Sequence, residues 1–219
     1  MAGTPSARKR QAILEAAIEA FLATGYSASV DDIAEAAGVG KQTIYRHFGD
    51  KQALFVAALN AARESAGETS TAAFTGGDEP ARDLIRMGER ILASALSPTM
   101  AALHRLTIAE VVHHPELSRH WGDSSAPQLN HELTEYFRRC GVSGTLAVPD
   151  PGRAARQFAY LLITEGRVAS AYGTRALTAR QRTAIATETA DLIVRAHRPC
   201  AHDCATDDEP SGRKIEAQH

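Results

Sequence analysis

Cysteine and aromatic residues are scarce in this chain of 219 residues. Three cysteines, Cys140, Cys200 and Cys204, do not predict a fold held together by disulfides. Aromatic residues make up 5 %, alanine and aliphatic residues dominate, and the alternation of β-branched and polar residues that is typical of strands is absent. Together these features predict an all-α fold of packed helices, long enough for one or two domains and a substantial core.

The chain also lacks an excess of one charge and any long apolar run. Its formal net charge is −2, and residues 1–67 carry seven Lys/Arg against seven Asp/Glu. The basic side chains are nevertheless clustered, at positions 8–10 and from 41 to 51, so their local placement would create any electrostatic surface for nucleic acid. No apolar stretch is long enough to span a membrane and no secretory signal is evident. We therefore expect a cytoplasmic protein without a membrane partner.

Residues 29–50 are the most informative segment, because they predict a helix-turn-helix at about 31–50. Ser29 can cap the first helix, and Asp31 and Asp32 suit its positive first turn. Gly38 ends this helix, since glycine readily adopts a left-handed backbone, and Val39 can anchor the turn in the core. Two short helices joined by such a turn are typical of proteins that read DNA sequence.

The second of these helices, from about Lys41 to Phe48, has one apolar and one polar face. Ile44 and Phe48, four residues apart, form its inward face. The remaining side chains suit phosphate oxygens or base edges, and no carboxylate occurs from position 39 to position 49. A merely solvated helix face usually mixes Glu with Lys, so the pattern favours DNA binding. The outward residues are Lys41, Gln42, Thr43, Tyr45, Arg46 and His47.

The segment from about Arg8 to Ala66 resembles the TetR family of bacterial transcription regulators. The resemblance depends on the amphipathic first helix, on Gly25-Tyr26, and above all on the string T-I-Y-R-H-F-G-D-K-x-A-L-F, which runs from Thr43 to Phe55. It implies an N-terminal three-helix head with the helix-turn-helix, a linker helix, and a C-terminal helical domain for ligand binding and dimerisation. The double-stranded DNA of an operator is the partner that it implies.

The resemblance also implies individual DNA contacts for the recognition helix. Lys41, Gln42 and Thr43 open this helix and would approach the major groove. Tyr45 and His47 would touch phosphates or flanking bases.

The other contacts that it implies lie around this helix. Arg46 would read a base or touch a phosphate, and Lys51 and Ser29 would contact the DNA backbone. The basic run Arg8, Lys9 and Arg10 is either an arm along the duplex or in its minor groove, or a disordered, solubilising terminus.

The rest of the chain predicts a second, helical domain. We expect a head at residues 1–67, a regulatory and dimerisation domain at 68–197, and a disordered tail at 198–219. The stretches 103–110 and 114–117 resemble the C-terminal domain of AefR-like family members. The predicted helices are a fourth from Asp50 to about Ala66, a fifth from Pro80, a sixth from Ser97-Pro98 to about His113, a seventh from Pro127 to Arg139, an eighth from Gly152 to Tyr172, and a ninth from Ala179 to His197.

The last two helices carry apolar surface that predicts a homodimer. Residues 158–163 are apolar nearly all round, so we expect both sides of the eighth helix to be buried. In the family two such helices pair with their symmetry mates, and a twofold dimer is the commonest assembly. The alternative is that both helices pack within one monomer. The ninth helix has Ile185, Thr189, Leu192, Ile193 and Ala196 on one face, and Ala159, Gly166, Ala169 and Ser170 would permit close helix approach.

Polar residues within apolar surroundings are candidates for an effector pocket. A small, mostly apolar ligand oriented by a few polar contacts is one interpretation, and ordinary packing of satisfied polar residues is the other. The candidates are His104, Thr107, Glu110, Trp121, Tyr136 and Glu165. Two clusters invite a metal interpretation, His113, His114 and His120 at a helix end and 200–204 in the tail, but neither predicts a metal site. No catalytic pairing or cofactor loop is evident.

The main hypothesis is therefore a homodimeric transcription regulator, a repressor released from its operator by a small-molecule ligand. One alternative is a helical small-molecule binding protein or enzyme whose DNA-binding head is vestigial. Another is a regulator, repressor or activator, that a protein partner controls. The operator, the target genes and the effector are left open by the sequence.

Overall fold

The computed structural model describes residues 4–65, 77–115 and 127–199, and these form helices and no strands, as the composition predicts. None of the described helices is long and apolar enough to cross a membrane. Nine α-helices and one 3-10 turn (Gly25–Ser27) are present in the described part of the chain. The helices are α1 Pro5–Thr24, α2 Val30–Ala36, α3 Lys41–Phe48, α4 Lys51–Ser65, α5 Pro80–Ala95, α6 Pro98–Glu110, α7 Pro127–Ser143, α8 Pro151–Ala169 and α9 Ala179–Ala196.

Most helix starts follow from local side-chain chemistry. Ser29 accepts a hydrogen bond from the backbone N–H of Asp31 at the start of α2, as predicted. Asp50 accepts one from Ala53 N–H at the start of α4, 2.7 Å from N to Oδ1. Thr178 and Gln181 form a reciprocal capping box at α9. These contacts satisfy backbone donors that have no partner within their helices, which fixes where each helix begins.

The head is built on α1 to α4, and α6 completes its core. Phe21, Tyr26 and Phe55 are buried together, with Phe55 edge-on to both other rings. Met100 and Leu103 of α6 belong to the same buried cluster. The head and the sixth helix therefore share one continuous apolar core.

A second core lies between α5, α7, α8 and α9. Tyr136, Phe137 and Phe158 are fully buried in it. The helices α5 and α9 approach closely at Gly88, where an added Cβ would lie 3.0 Å from Ala186 Cβ. Gly88 has no side chain, and this absence permits that approach.

Four expectations about element ends need correction. The eighth helix ends at Ala169 and not at Tyr172. Ala171 and Tyr172 adopt left-handed backbone angles, with φ 48° and 56°. The Tyr172 carbonyl also accepts a hydrogen bond from Arg105 Nη1, 2.9 Å away. The sixth ends at Glu110, where turns replace its predicted last residues, and the seventh continues to Ser143, since Gly141 does not interrupt it. The basic run Arg8–Arg10 is not a disordered terminus, because it belongs to α1, which begins at Pro5 behind the Thr4 cap; its contact with DNA stays a prediction. Within the predicted tail, only 198–199 are among the described residues.

Candidate nucleic-acid interface

The helix-turn-helix is closed by a glycine with a left-handed backbone. Gly38 has φ 64°, and the next residue, Val39, donates a backbone hydrogen bond to Ala34 O over 2.9 Å. Val39 also packs against the head core. The turn therefore holds α3 at a fixed place beside α2, as the sequence predicts.

The recognition helix α3 has a buried face and an open face. Ile44 is fully buried and Phe48 is half-buried against the head core. Tyr45, the next residue after Ile44, is 41 % exposed, and Lys41, Gln42 and Arg46 are exposed beside it. Positions 41, 42, 45 and 46 share one side of a helix. Thr43 and His47 flank this side and are half-buried.

The start of α3 attracts anions. Gly40 precedes the helix, and no side chain caps its free backbone N–H groups. Such a helix end carries a partial positive charge. Lys41 adds an ammonium group there, and Arg46 and His47 follow in the last turn. The open face of α3 is therefore suited chemically to the phosphates and base edges of a duplex.

One carboxylate contacts this face. Asp31 Oδ2 of α2 lies 2.8 Å from Lys41 Nζ, and both side chains are substantially exposed. The hydrogen bond to Asp31 raises the pKa of Lys41. The sequence predicts Asp31 only in the first turn of α2, and nothing in the spacing of ten residues indicates its pairing with Lys41.

Lys51, at the start of α4, is held at the border between the head and α6. Its Nζ lies 4.9 Å from the centroid of the Tyr26 ring, a cation–π geometry. Partial burial lowers the pKa of Lys51, and the charge of Glu110 in α6 acts in the opposite direction. The Tyr26 ring also contacts His114, with their centroids 4.6 Å apart. Lys51, the predicted phosphate anchor, thus lies against a head residue and within the electrostatic influence of α6.

Two other basic or polar residues of the predicted interface have structural partners. Ser29 Oγ is engaged as the cap of α2. Arg10, in α1, lies over the ring of Phe48, 5.3 Å from its centroid. Arg10 therefore packs on the end of the recognition helix.

The residues predicted for an effector pocket fall in three settings. Tyr136 is buried in the second core, and its hydroxyl lies 3.4 Å from Asp83 Oδ2. Thr107 donates to Leu103 O within its own helix, α6, which also carries the half-buried His104 and Glu110. Glu165 is exposed on α8, so the structure does not bring it to the buried Tyr136. Trp121 lies outside the described residues.

Asp83 is a buried carboxylate that sequence analysis missed. It pairs with Arg86 at 2.5 Å, in addition to Tyr136. Burial is the main reason that the pKa of Tyr136 is raised, with smaller contributions from Cys140 and Asp83. The signal in the sequence was the spacing of 83, 87 and 91, which places an acid in line with the apolar stripe of α5.

Among the described residues, no three His, Cys, Asp or Glu side chains come together as a metal site. His113 and His114 follow α6, and His120 and the cluster 200–204 lie outside the described residues.

Two family models match the chain. Residues 13–58 match the model described as bacterial regulatory proteins of the tetR family. Residues 82–199, more than half of the chain, match the model described as the AefR-like transcriptional repressor C-terminal domain. The matched regions cover the helix-turn-helix and nearly all of the second core.

Similar proteins are also regulators. The HTH-type transcriptional activator FasR of Mycolicibacterium smegmatis is 43 % identical over 56 residues, which is 25 % of this chain and 26 % of that protein. A structure described as a TetR-family transcriptional regulator from Mesorhizobium loti MAFF303099 has a TM-score of 0.76 and 24 % identity, covering 90 % of this chain and all of that one. The structure of the flavonoid-responsive regulator FrrA has a TM-score of 0.70 and 27 % identity, over 89 % and 100 % of the two chains.

Proposed function

Because the chain belongs to the TetR family of bacterial transcription regulators, we propose that it binds an operator as a homodimer and represses transcription until a small-molecule effector releases it. The family and the relatives are transcription regulators and not enzymes. The operator contacts proposed are those of Lys41, Gln42, Thr43, Tyr45, Arg46 and His47 on α3, with Lys51 and Ser29 at the backbone.

The observation that carries the proposal is the composition of the open face of α3. Lys41, Gln42, Tyr45 and Arg46 stand exposed on a helix that the buried Ile44 fixes to the head. Lys and Arg can contact guanine or phosphate, and Gln can make a bidentate contact with adenine. A helix with these groups and an uncapped N-terminus suits the major groove.

Dimerisation is supported by apolar side chains that the monomer leaves exposed on α8. Tyr160 is 52 % exposed and Leu161 44 %, and Val168 is exposed further along the same helix. By contrast, Ile185, Thr189 and Ile193 of α9 are buried within the monomer, so Leu192 is the large apolar residue of the predicted α9 face that is left for a partner. A twofold pairing of such helices would present the two recognition helices to successive major grooves, about 34 Å apart.

The proposal also states that the protein is a repressor and that a small molecule releases it from DNA. The model that matches more than half of the chain is described as that of a repressor domain, whereas the activator FasR matches over 56 residues only. FrrA is described as flavonoid-responsive. These descriptions support a repressor with a small, largely apolar effector. Such an effector acts only if it binds the DNA-bound and released states with different affinity.

Selection of bound duplexes from a random-sequence pool at near-physiological salt tests operator binding. We expect enrichment of a palindrome whose half-sites lie about one helical turn apart. Recovery of unrelated sequences, with binding that vanishes as salt rises, would reduce the interaction to phosphate attraction and overturn the proposal. Operator occupancy measured across a metabolite panel then tests whether a small molecule releases the protein. Transcription from a template that carries the selected site tests whether the protein represses or activates.

A further inference from the structure

We propose that Asp31 is a specificity-determining residue: through Lys41 it weakens binding to arbitrary DNA and favours a G·C base pair in the operator. The inference rests on the proposed operator binding. It concerns a residue whose negative charge repels that of DNA. Asp31 belongs to α2, outside the recognition helix.

The geometry joins the two residues into one unit. Lys41 Nζ and Asp31 Oδ2 are 2.8 Å apart, and their side chains are 46 % and 65 % exposed. An exposed ion pair of this kind contributes little to folding stability, because water competes for both charges. The pair is thus poorly explained as a device that stabilises the helix-turn-helix.

The position of Lys41 explains why the unpaired lysine would bind DNA without discrimination. It is the first residue of α3, and no side chain caps the N–H groups there. Its ammonium group and the positive helix end would both attract any phosphate. The hydrogen bond with Asp31 also raises the pKa of Lys41, which favours the charged form of its ammonium group.

A phosphate that accepts a hydrogen bond from Lys41 comes close to Asp31, and the carboxylate there repels it. Lys41 then gains little from contact with arbitrary DNA. The repulsion is avoided where a group on the DNA donates a hydrogen bond to Asp31.

A G·C pair satisfies both residues. In the major groove guanine presents the acceptors O6 and N7, which suit the Lys41 ammonium group. Cytosine presents its N4 amino group, a donor that suits a carboxylate. Because Asp31 Oδ2 lies one hydrogen bond from Lys41 Nζ, a lysine at the guanine edge brings the carboxylate close to the cytosine edge of the same pair.

The test compares Asp31→Asn with Asp32→Asn, in the selected operator and in an unrelated duplex. Both acids lie exposed in the first turn of α2, so the two variants change the net charge and the helix end alike. For Asp31→Asn, we expect the ratio of operator affinity to non-specific affinity to fall at least about fivefold, with the preference at one G·C position relaxed. The plot of log affinity against log salt concentration for non-specific binding should steepen by about one released counterion, because Lys41 becomes available to a phosphate. Asp32→Asn should change neither quantity.

A second pair of variants tests whether Asp31 acts through Lys41. In a Lys41→Ala background, we expect Asp31→Asn to leave the affinity ratio unchanged. Equal effects of Asp31→Asn and Asp32→Asn, or an undiminished effect of Asp31→Asn without Lys41, would overturn the inference while operator binding stands. If the wild-type protein enriches no sequence at all, the proposed function fails and this inference falls with it.

Discussion

At the scale of single residues, adjacent positions of the recognition helix lie in different environments, one buried and one exposed. Ile44 has no exposed surface, whereas Tyr45 directs its ring away from the core. A helix turns by about 100° per residue, so neighbours on the edge of an amphipathic face separate in this way. The two residues allow contact with DNA to be tested apart from folding.

Replacement of Tyr45 by Ala should lower operator affinity at least about fivefold, since one net hydrogen bond or its equivalent contact is lost. The unfolding temperature should change much less than after a core substitution, because the Tyr45 side chain lies outside the buried core. Ile44→Ala provides the contrast, with about 2–5 kcal/mol of stability lost from a fully buried site. Titration of the operator by anisotropy and thermal unfolding by circular dichroism measure the two effects. Unchanged affinity in Tyr45→Ala would mean that another face meets DNA.

The two faces of α3 could be predicted from the sequence, because their residues are three and four positions apart. The partners that modify this surface could not. Asp31 reaches Lys41 from another helix, and Tyr26 meets Lys51 across 25 positions of chain. Such pairs depend on how helices cross, and local periodicity carries no information about that crossing.

At the scale of elements, the second core depends on a close approach of two helices. Gly88 of α5 faces Ala186 of α9, and the atoms nearest to an added Cβ are the Cβ and Cα of Ala186 and Cδ1 of Leu162 in α8. The two Ala186 atoms cannot rotate away. Any side chain introduced at position 88 must therefore push the two helices apart.

Gly88→Val should lower the free energy of unfolding by about 1–3 kcal/mol through overpacking. Ala93→Val is the matched control, because it introduces the same residue on the exposed side of α5 and should change stability by no more than about 0.5 kcal/mol. Chemical denaturation of both variants measures the difference. Equal stabilities would show that α5 and α9 can separate without cost.

The end of α8 shows where helix prediction fails. The sequence shows no glycine or proline between Gly166 and Gly173, so it predicts a helix that reaches Tyr172. Instead the chain turns left-handed at Ala171 and Tyr172, and Arg105 of α6 binds the Tyr172 carbonyl. A tertiary contact from a distant segment thus overrides the local pattern. An effector pocket could not be predicted from the sequence for the same reason. A polar residue in an apolar stripe does not reveal which residue of another helix it contacts.

At the scale of the whole molecule, the exposed apolar side chains of α8 predict the assembly. If this face meets its twofold mate, Leu161→Glu would place two unpaired charges in the interface. The dimer dissociation constant should then rise more than about 100-fold, because burying charge without a partner is strongly unfavourable. Val142→Glu introduces the same charge at an apolar residue of α7 that is 79 % exposed and should leave the dimer intact. Sedimentation velocity over a concentration series distinguishes the two variants, and a dimeric Leu161→Glu protein would place the interface elsewhere.

The packing of Met100 and Leu103 into the head has a bearing on how such proteins can be recombined. A chimera cut near residue 67, with a foreign sensor joined to this head, would keep the DNA-reading helices and discard the part of their core that α6 supplies. In such a chimera the foreign helix would not match the apolar surface formed by Phe55 and Tyr26. Exchange of sensor domains between relatives is therefore constrained by the core that α6 shares with the head, and a working hybrid has to inherit α6 together with the head.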